Sequence, residues 1–160
     1  MFTPQQVENA LRELEVTHVV WVPDSATGLW EERFSQSEAV QLVRVCREGE
    51  AWAVAAGLHI GGGRPLVVIQ NTGLFESGDA LRNVLFDLKL PLWVMIGYRN
   101  YLIEESADTA KRFTEPILAA WGLEPLLLDR PDSLTELVRH FRQCQEEGKP
   151  GIALLAEGRG

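Results

Sequence analysis

The sequence predicts an α/β protein of three layers, with helices on both faces of a six-stranded, mostly parallel sheet, and three observations carry that prediction. Six short apolar runs alternate with stretches of helical period along the whole chain. Two of the runs, VVWV at 19–22 and PLVVIQ at 65–70, are continuously apolar and rich in β-branched residues, as strands buried on both faces are. Helical segments lie between the strand-like runs, as right-handed parallel crossovers require.

Taken in order, TPQQVENALRELE opens with Thr3 and carries Gln6 at the capping-box position, with Val7, Leu11 and Leu14 at helical spacing. THVVWVP is the first strand, closed by Pro23. GLWEERF reads as a short helix and AVQLVRVC as the second strand. From Glu48 to Ile60 an Ala-rich helix runs until GGG stops it at 61–63. PLVVIQ is the third strand, SGDALRNVLFDLK a helix, PLWVMIG the fourth strand, and ADTAKRFTEPILAAW a helix containing Pro116. EPLLLD, the helix PDSLTELVRHFRQCQEEG with Gly148 at its stop, and the strand GIALLA complete the pattern.

A chain of 160 residues is long enough for one core and short for two, and no linker, low-complexity tract or internal repeat divides it, so residues 1–160 read as a single domain. The formal charge of -8, with Lys and Arg scattered, offers no basic stripe for a phosphate backbone, and nucleic acid is not an expected partner. Cys46 and Cys144 stand alone without metal-ligand spacing and read as reduced thiols. The start MFTPQQVENAL lacks a signal-peptide pattern, and the apolar runs are strand-sized, so a cytoplasmic protein with no membrane span is expected.

In open parallel sheets the ligand crevice lies beyond the carboxyl ends of the strands. Four loops are therefore the candidates: PDSATG, REGE, NTGLFES and YRNYLIEES. Glu48 falls where a strand meets the first turn of a helix. It is either a carboxylate favoured by the helix dipole or a partly buried acid able to exchange a proton with a ligand. Glu50, two residues on, competes for that role from a more exposed side. Gly49, Ala51, Ala53, Ala55, Ala56 and Gly57 allow close approach, either to the sheet or to a ligand or second subunit. Asn71, Thr72 and Gly73 end the third strand, where they can bind a ligand or close an Asx-type turn. Arg82 and Arg99 could meet an anionic substrate or be solvated surface arginines. GGG follows a helix rather than opening one, which is the wrong order for a phosphate-binding loop.

The segment REGEAWAVAAGLHIGGGRPLVVIQNTGL resembles the pyrimidine-binding domain of thiamine diphosphate enzymes, and the match continues through ESGDALRNVLFDLKLPLWVMIGYR and back to VVWVPDS. Within that superfamily the chain is similar to the sulfopyruvate decarboxylase family, alpha-subunit type, and to phosphonopyruvate decarboxylases. The resemblance implies the thiamine diphosphate-binding fold of the pyrimidine type. It implies that Glu48 hydrogen-bonds a ring nitrogen of the cofactor's aminopyrimidine, promoting the tautomer that takes the thiazolium proton, after which a 2-oxo acid loses carbon dioxide. It places Asn71, Thr72 and Gly73 at the cofactor, and Asp24, Ser25 and Asn71 near the substrate, with Arg82 and Arg99 as candidates for its extra anionic group.

The family holds the diphosphate through Mg2+ on a separate domain, with a Gly-Asp-Gly motif and a later Asn. Here GDA at 78–80 lies within a helical pattern with no suitable Asn downstream. The resemblance therefore implies half of an active site, completed by a beta subunit that binds the diphosphate and Mg2+ in a hetero-oligomer, on a route to coenzyme M. Two other readings stand beside it: a regulatory domain that kept the fold without the chemistry, and a flavodoxin-like mononucleotide binder, for which PDSATG offers just one glycine.

Overall fold

The computed structural model describes residues 2–24 and 27–158. Helix α1 (Pro4–Glu13) begins with a complete capping box between Thr3 and Gln6 and buries Val7 and Leu11. Strand β1 (His18–Trp21) follows, then a turn of 3-10 helix, α2 (Glu31–Ser35) and the edge strand β2 (Gln41–Arg44). Next come α3 (Glu48–Ile60), β3 (Pro65–Gln70), α4 (Asn71–Glu76) and α5 (Gly78–Arg82), which continues into a π-helical turn over Asn83–Asp87. The chain ends with β4 (Trp93–Tyr98), α6 (Thr109–Ala120), β5 (Leu126–Leu128), α7 (Ser133–Glu146) and β6 (Gly151–Ala156).

The six strands lie in the order β2-β1-β3-β4-β6-β5, and every neighbouring pair is parallel. The chain moves outward from β1 to β2, returns to the far side of β1 as β3, and proceeds to β4. Connections therefore diverge between β1 and β3, which is where such sheets open a crevice at their carboxyl ends.

Alternation along the strands sorts the core into two layers. Val19, Trp21, Leu66, Val68, Trp93 and Met95 face α1, α2 and α7. Val20, Val67, Ile69, Val94 and Ile96 face α3, α5 and α6. With both faces covered, these strands need apolar side chains at every position, which is why they read as continuous runs. Among the described residues no helix is long and apolar enough to cross a membrane, and Cys46 and Cys144 are free.

Two segments depart from the sequence reading. NTGLFES is not a loop: Asn71 starts α4 directly after β3. The helix expected over 77–89 forms as α5 and the π-helical turn that continues it to Asp87, so its second half departs from α geometry; Ser77 marks its boundary with α4, its hydroxyl donating to the Gly73 carbonyl (2.7 Å) while accepting from the indole of buried Trp52 (3.0 Å). The Gly73 carbonyl thus accepts from both the amide (2.9 Å) and the hydroxyl of Ser77, a back-bond that bends helices, and α4 gives way to α5 at Gly78.

Gly151 begins β6 beneath the stacked rings of Trp93 and Phe141, whose centroids are 5.0 Å apart. A Cβ there would stand 2.7 Å from Phe141 and 2.8 Å from Trp93. Gly151→Ala is expected to cost about 1–3 kcal/mol by overpacking two rigid rings; urea denaturation checks this, and an unchanged midpoint would mean that the pair shifts freely.

Candidate active site

The start of α3 builds the first part of the site. Arg47, its N-cap, is extended and offers no side-chain cap, so the first amides of the helix need other partners. Glu76 from α4 supplies one, accepting from Gly49 N (3.1 Å) and from Arg47 Nε (3.0 Å). Glu50 is exposed and accepts from Cys46 N (3.0 Å). Both acids are thus tied to the backbone, while Glu48, half-buried, is held by no such bond among the described residues. Its carboxyl lies over Gly73: a Cβ on Gly73 would sit 2.3 Å from Glu48 Cγ and 2.5 Å from Oε1. Only a glycine leaves that carboxyl room.

Asn71 is fully buried. Its Nδ2 donates to Thr114 Oγ1 (3.0 Å), and Thr114 in turn donates to the Ala110 carbonyl (2.7 Å). An Asx turn is therefore not what Asn71 makes. Its Oδ1 is buried with no partner, which leaves a strong acceptor at the base of α4. Thr72 is exposed and donates to Gln70 Oε1 (3.1 Å).

The small residues of α3 divide. Ala51, Ala55 and Ala56 are buried against this chain's own sheet, whereas Ala53 and Gly57 are exposed. Gly49 faces Ala80 of α5 at 3.8 Å from an added Cβ. Close helix-to-sheet packing within the chain thus accounts for the buried half of that face.

Asp24, in the loop after β1, accepts from Thr27 N (2.9 Å) and Thr27 Oγ1 (2.8 Å), and Thr27 accepts from the Trp21 indole (3.0 Å). Ser25 lies outside the described residues. Arg99, after β4, forms a bidentate pair with Asp108 (2.8 and 3.0 Å). Asp108 also caps α6 at Ala110 N and accepts from Asn100 Nδ2, each at 2.9 Å. The Arg99 guanidinium is the main reason that the Asp108 carboxyl is held down to about 2. Arg82, at the end of α5, is gripped by Asp79 (2.9 Å) and Asp87 (2.6 Å). Glu48, Asn71 and Gly73 are thus brought together at α3 and α4, and Asp24 and Arg99 stand on flanking loops, while Arg82 is engaged in a surface ion-pair cluster.

Sequence reasoning missed Glu157. It follows β6 directly, is 5% exposed, and places Oε1 over Gly97, 2.2 Å from an added Cβ. That oxygen has no hydrogen-bond partner. Burial pushes its carboxyl up to about 7, with the charge of Asp24 adding to the rise and that of Arg99 opposing it. The signal was present: an acid immediately after the apolar run GIALLA. Among the described residues no group of three or more His, Cys, Asp or Glu could hold a metal ion.

This architecture is shared with a 2-oxoglutarate:ferredoxin oxidoreductase from Magnetococcus marinus, at a TM-score of 0.74 over 98% of this chain and 29% of that one, with 16% identity. In sequence the chain is 27% identical over 159 residues to sulfopyruvate decarboxylase subunit alpha of Methanococcus maripaludis, covering 98% of this chain and 95% of that subunit. It is 32% identical over 138 residues to phosphonopyruvate decarboxylase of Streptomyces viridochromogenes, covering 84% of this chain and 34% of that protein. The chain is a homologue of the sulfopyruvate and phosphonopyruvate decarboxylases. It spans about a third of the length of the first curated relatives it matches, 32% and 34% of two of them. No family model matches the chain.

Two predictions follow from this geometry. Gly73→Ala is expected to cost about 1–3 kcal/mol and to cost far less in a Glu48→Ala background, because the clash is with that carboxyl; equal costs in a double-mutant cycle would refute the contact. Glu157 has a folded pKa of about 7 against an ordinary 4.5. Its contribution to stability is therefore complete below 4.5 and lost as the pH rises through 7, up to about 3 kcal/mol. Glu157→Gln should flatten that fall between pH 5 and 8 in denaturant titrations.

Proposed function

We propose that this chain is the alpha subunit of a two-subunit, thiamine diphosphate-dependent carboxy-lyase that converts sulfopyruvate to sulfoacetaldehyde and carbon dioxide. The observation that carries this reading is the uncommitted carboxyl of Glu48 seated on Gly73, on a chain similar end to end to a sulfopyruvate decarboxylase alpha subunit. The residues fit the aminopyrimidine half of the cofactor. Such a ring needs a carboxyl beside a ring nitrogen, a floor without side chains, and polar groups at its edge. Glu48, Gly73 and the unpartnered Oδ1 of Asn71 supply these in turn.

When bound, thiamine diphosphate supplies the carbon nucleophile and the electron sink of a decarboxylation. Glu48 holds and exchanges the proton at the ring nitrogen, from a half-buried position where water competes less. The bond from Asn71 to Thr114 fixes α4 against α6 and so keeps Gly73 beneath that carboxyl. Asp24 and Ser25 belong to the substrate side.

The diphosphate and Mg2+ are assigned to a beta subunit carrying the diphosphate-binding domain. In support, GDA at 78–80 opens α5 as ordinary helix, and Asp79 is spent on Arg82. In this reading the assembly works in the cytoplasm on a route to coenzyme M, and the isolated chain turns nothing over. Phosphonopyruvate is the second reading, favoured by the 32% identity to its decarboxylase; it is likewise a three-carbon 2-oxo acid with an anionic group on C3.

The test is co-expression with the candidate beta subunit and assay of sulfopyruvate, phosphonopyruvate and pyruvate. Glu48→Gln is expected to lower turnover more than a hundredfold while the complex still elutes intact in size-exclusion chromatography. A fully active Glu48→Gln complex would end this reading, and faster turnover of phosphonopyruvate would select the second.

A further inference from the structure

Glu157 takes no part in the reading above, yet its placement is as constrained as that of Glu48. The Cβ position of Gly97 that its Oε1 occupies would also lie 3.8 Å from Gln70 Cα, so the carboxyl, which follows β6, sits where β3 and β4 end. Its main chain is pinned on both sides: Glu157 N donates to the Tyr98 carbonyl (3.3 Å), and its own carbonyl accepts from Leu102 N (2.9 Å). A buried carboxyl oxygen without a partner is costly, and such groups persist where a ligand completes them.

The charged groups around it are few. Asp24 faces it from the loop after β1 and Arg99 from the loop after β4, and Arg99 is already neutralised by Asp108. Asp129 and Arg130, following β5, line with it a cavity of about 90 Å³. Tyr98, where β4 ends, is pushed up to about 12, chiefly by burial, and does not titrate near neutrality. The acid of Asp24 thus disfavours a second negative charge here, and among the described residues the cation that opposes it, Arg99, is already paired with Asp108.

We propose that Glu157 is a substrate-binding residue of the strand-end crevice, donating its carboxylic O–H to an anionic oxygen of the 2-oxo acid. This rests on the decarboxylase reading for the identity of the substrate. A protonated carboxyl makes a short, charge-assisted bond to an anion, whereas an ionised one beside Asp24 repels it. No proton is transferred; the bond forms with the substrate and breaks when product leaves. Gly97 is the structural counterpart, since any side chain there would displace the donor.

Sulfopyruvate is the suitable probe because neither of its acidic groups titrates near neutrality. Its binding to the two-subunit complex, assembled without cofactor, would be measured by calorimetry from pH 6 to pH 8, alongside turnover. Affinity scales with the fraction of the competent state, so the wild-type complex should weaken about tenfold over that range. The Glu157→Gln complex, which keeps a neutral donor at all pH values, should vary by less than about twofold. A second measurement needs no variant in the complex: infrared difference spectra of the full chain should show a neutral carboxyl band lost across the same range, and Glu157→Gln should lack it. Parallel binding profiles, absence of binding, or absence of the band would each overturn the proposal. A complex that binds sulfopyruvate with the expected pH dependence but turns over no 2-oxo acid would retire the decarboxylase reading and leave Glu157 as the binding residue.

Discussion

Parallel pairing of all six strands puts every carboxyl end on one edge of the sheet, and the burial of both faces leaves that edge as the place where polar groups can gather. The strands themselves carry almost nothing but apolar side chains. Polar side chains are therefore displaced beyond them: Asn71, Arg99 and Glu157 directly follow β3, β4 and β6, and Asp24 lies three residues past β1. Glu48 opens the helix that leaves β2 by the same logic. The chemistry of the site is a consequence of where the ladder stops.

Two of these acids share a construction. Glu48 lies over Gly73 and Glu157 over Gly97, each within a distance that no Cβ would permit. Both glycines terminate or follow a central strand, so the carboxyls rest on the backbone rather than on side chains. The supports differ, however. Around Glu48 the ties run through Glu76, Ser77 and Trp52, which lock α3 to α4 and leave the acid half-open. Around Glu157 they run through main-chain bonds to β4 and the loop that follows it, and burial, with the charge of Asp24, raises its pKa. On the proposed reading, one acid is placed to exchange protons with an occupant and the other to keep one.

Much of this was legible in sequence because buried parallel strands write themselves as uninterrupted apolar runs, and the Thr3 capping box and Gly148 stop mark their helices unambiguously. The order of six strands and their helices followed from those runs. What the runs could not convey was the change from α to π geometry over Asn83–Asp87, where the hydrophobic pattern continues unbroken. The helical start at Asn71 was hidden for a different reason: an Asn after a strand ordinarily closes a turn, and only the bond to Thr114 on α6 commits it otherwise. Glu157 escaped notice since a single acid after a strand looks like a chain end turning to solvent. It is nonetheless 5% exposed, its main chain bonded to Tyr98 and to Leu102 of the loop after β4.

Charge balance bears on how such a site could take an anion. The chain carries a formal charge of -8, and the arginines near its strand ends are already matched: Arg99 with Asp108, Arg47 with Glu76, and Arg130 with acids on either side. Arg82 is held between Asp79 and Asp87. Freeing any of them would leave a carboxylate unpaired, which is most costly for the largely buried Asp108 that also caps α6. A doubly anionic substrate approaching this edge would therefore meet neutral donors before it met a free cation. On the proposed reading, the compensating positive charge falls to the partner subunit and its metal, and this chain's part is to hold protons at defined oxygens and nitrogens.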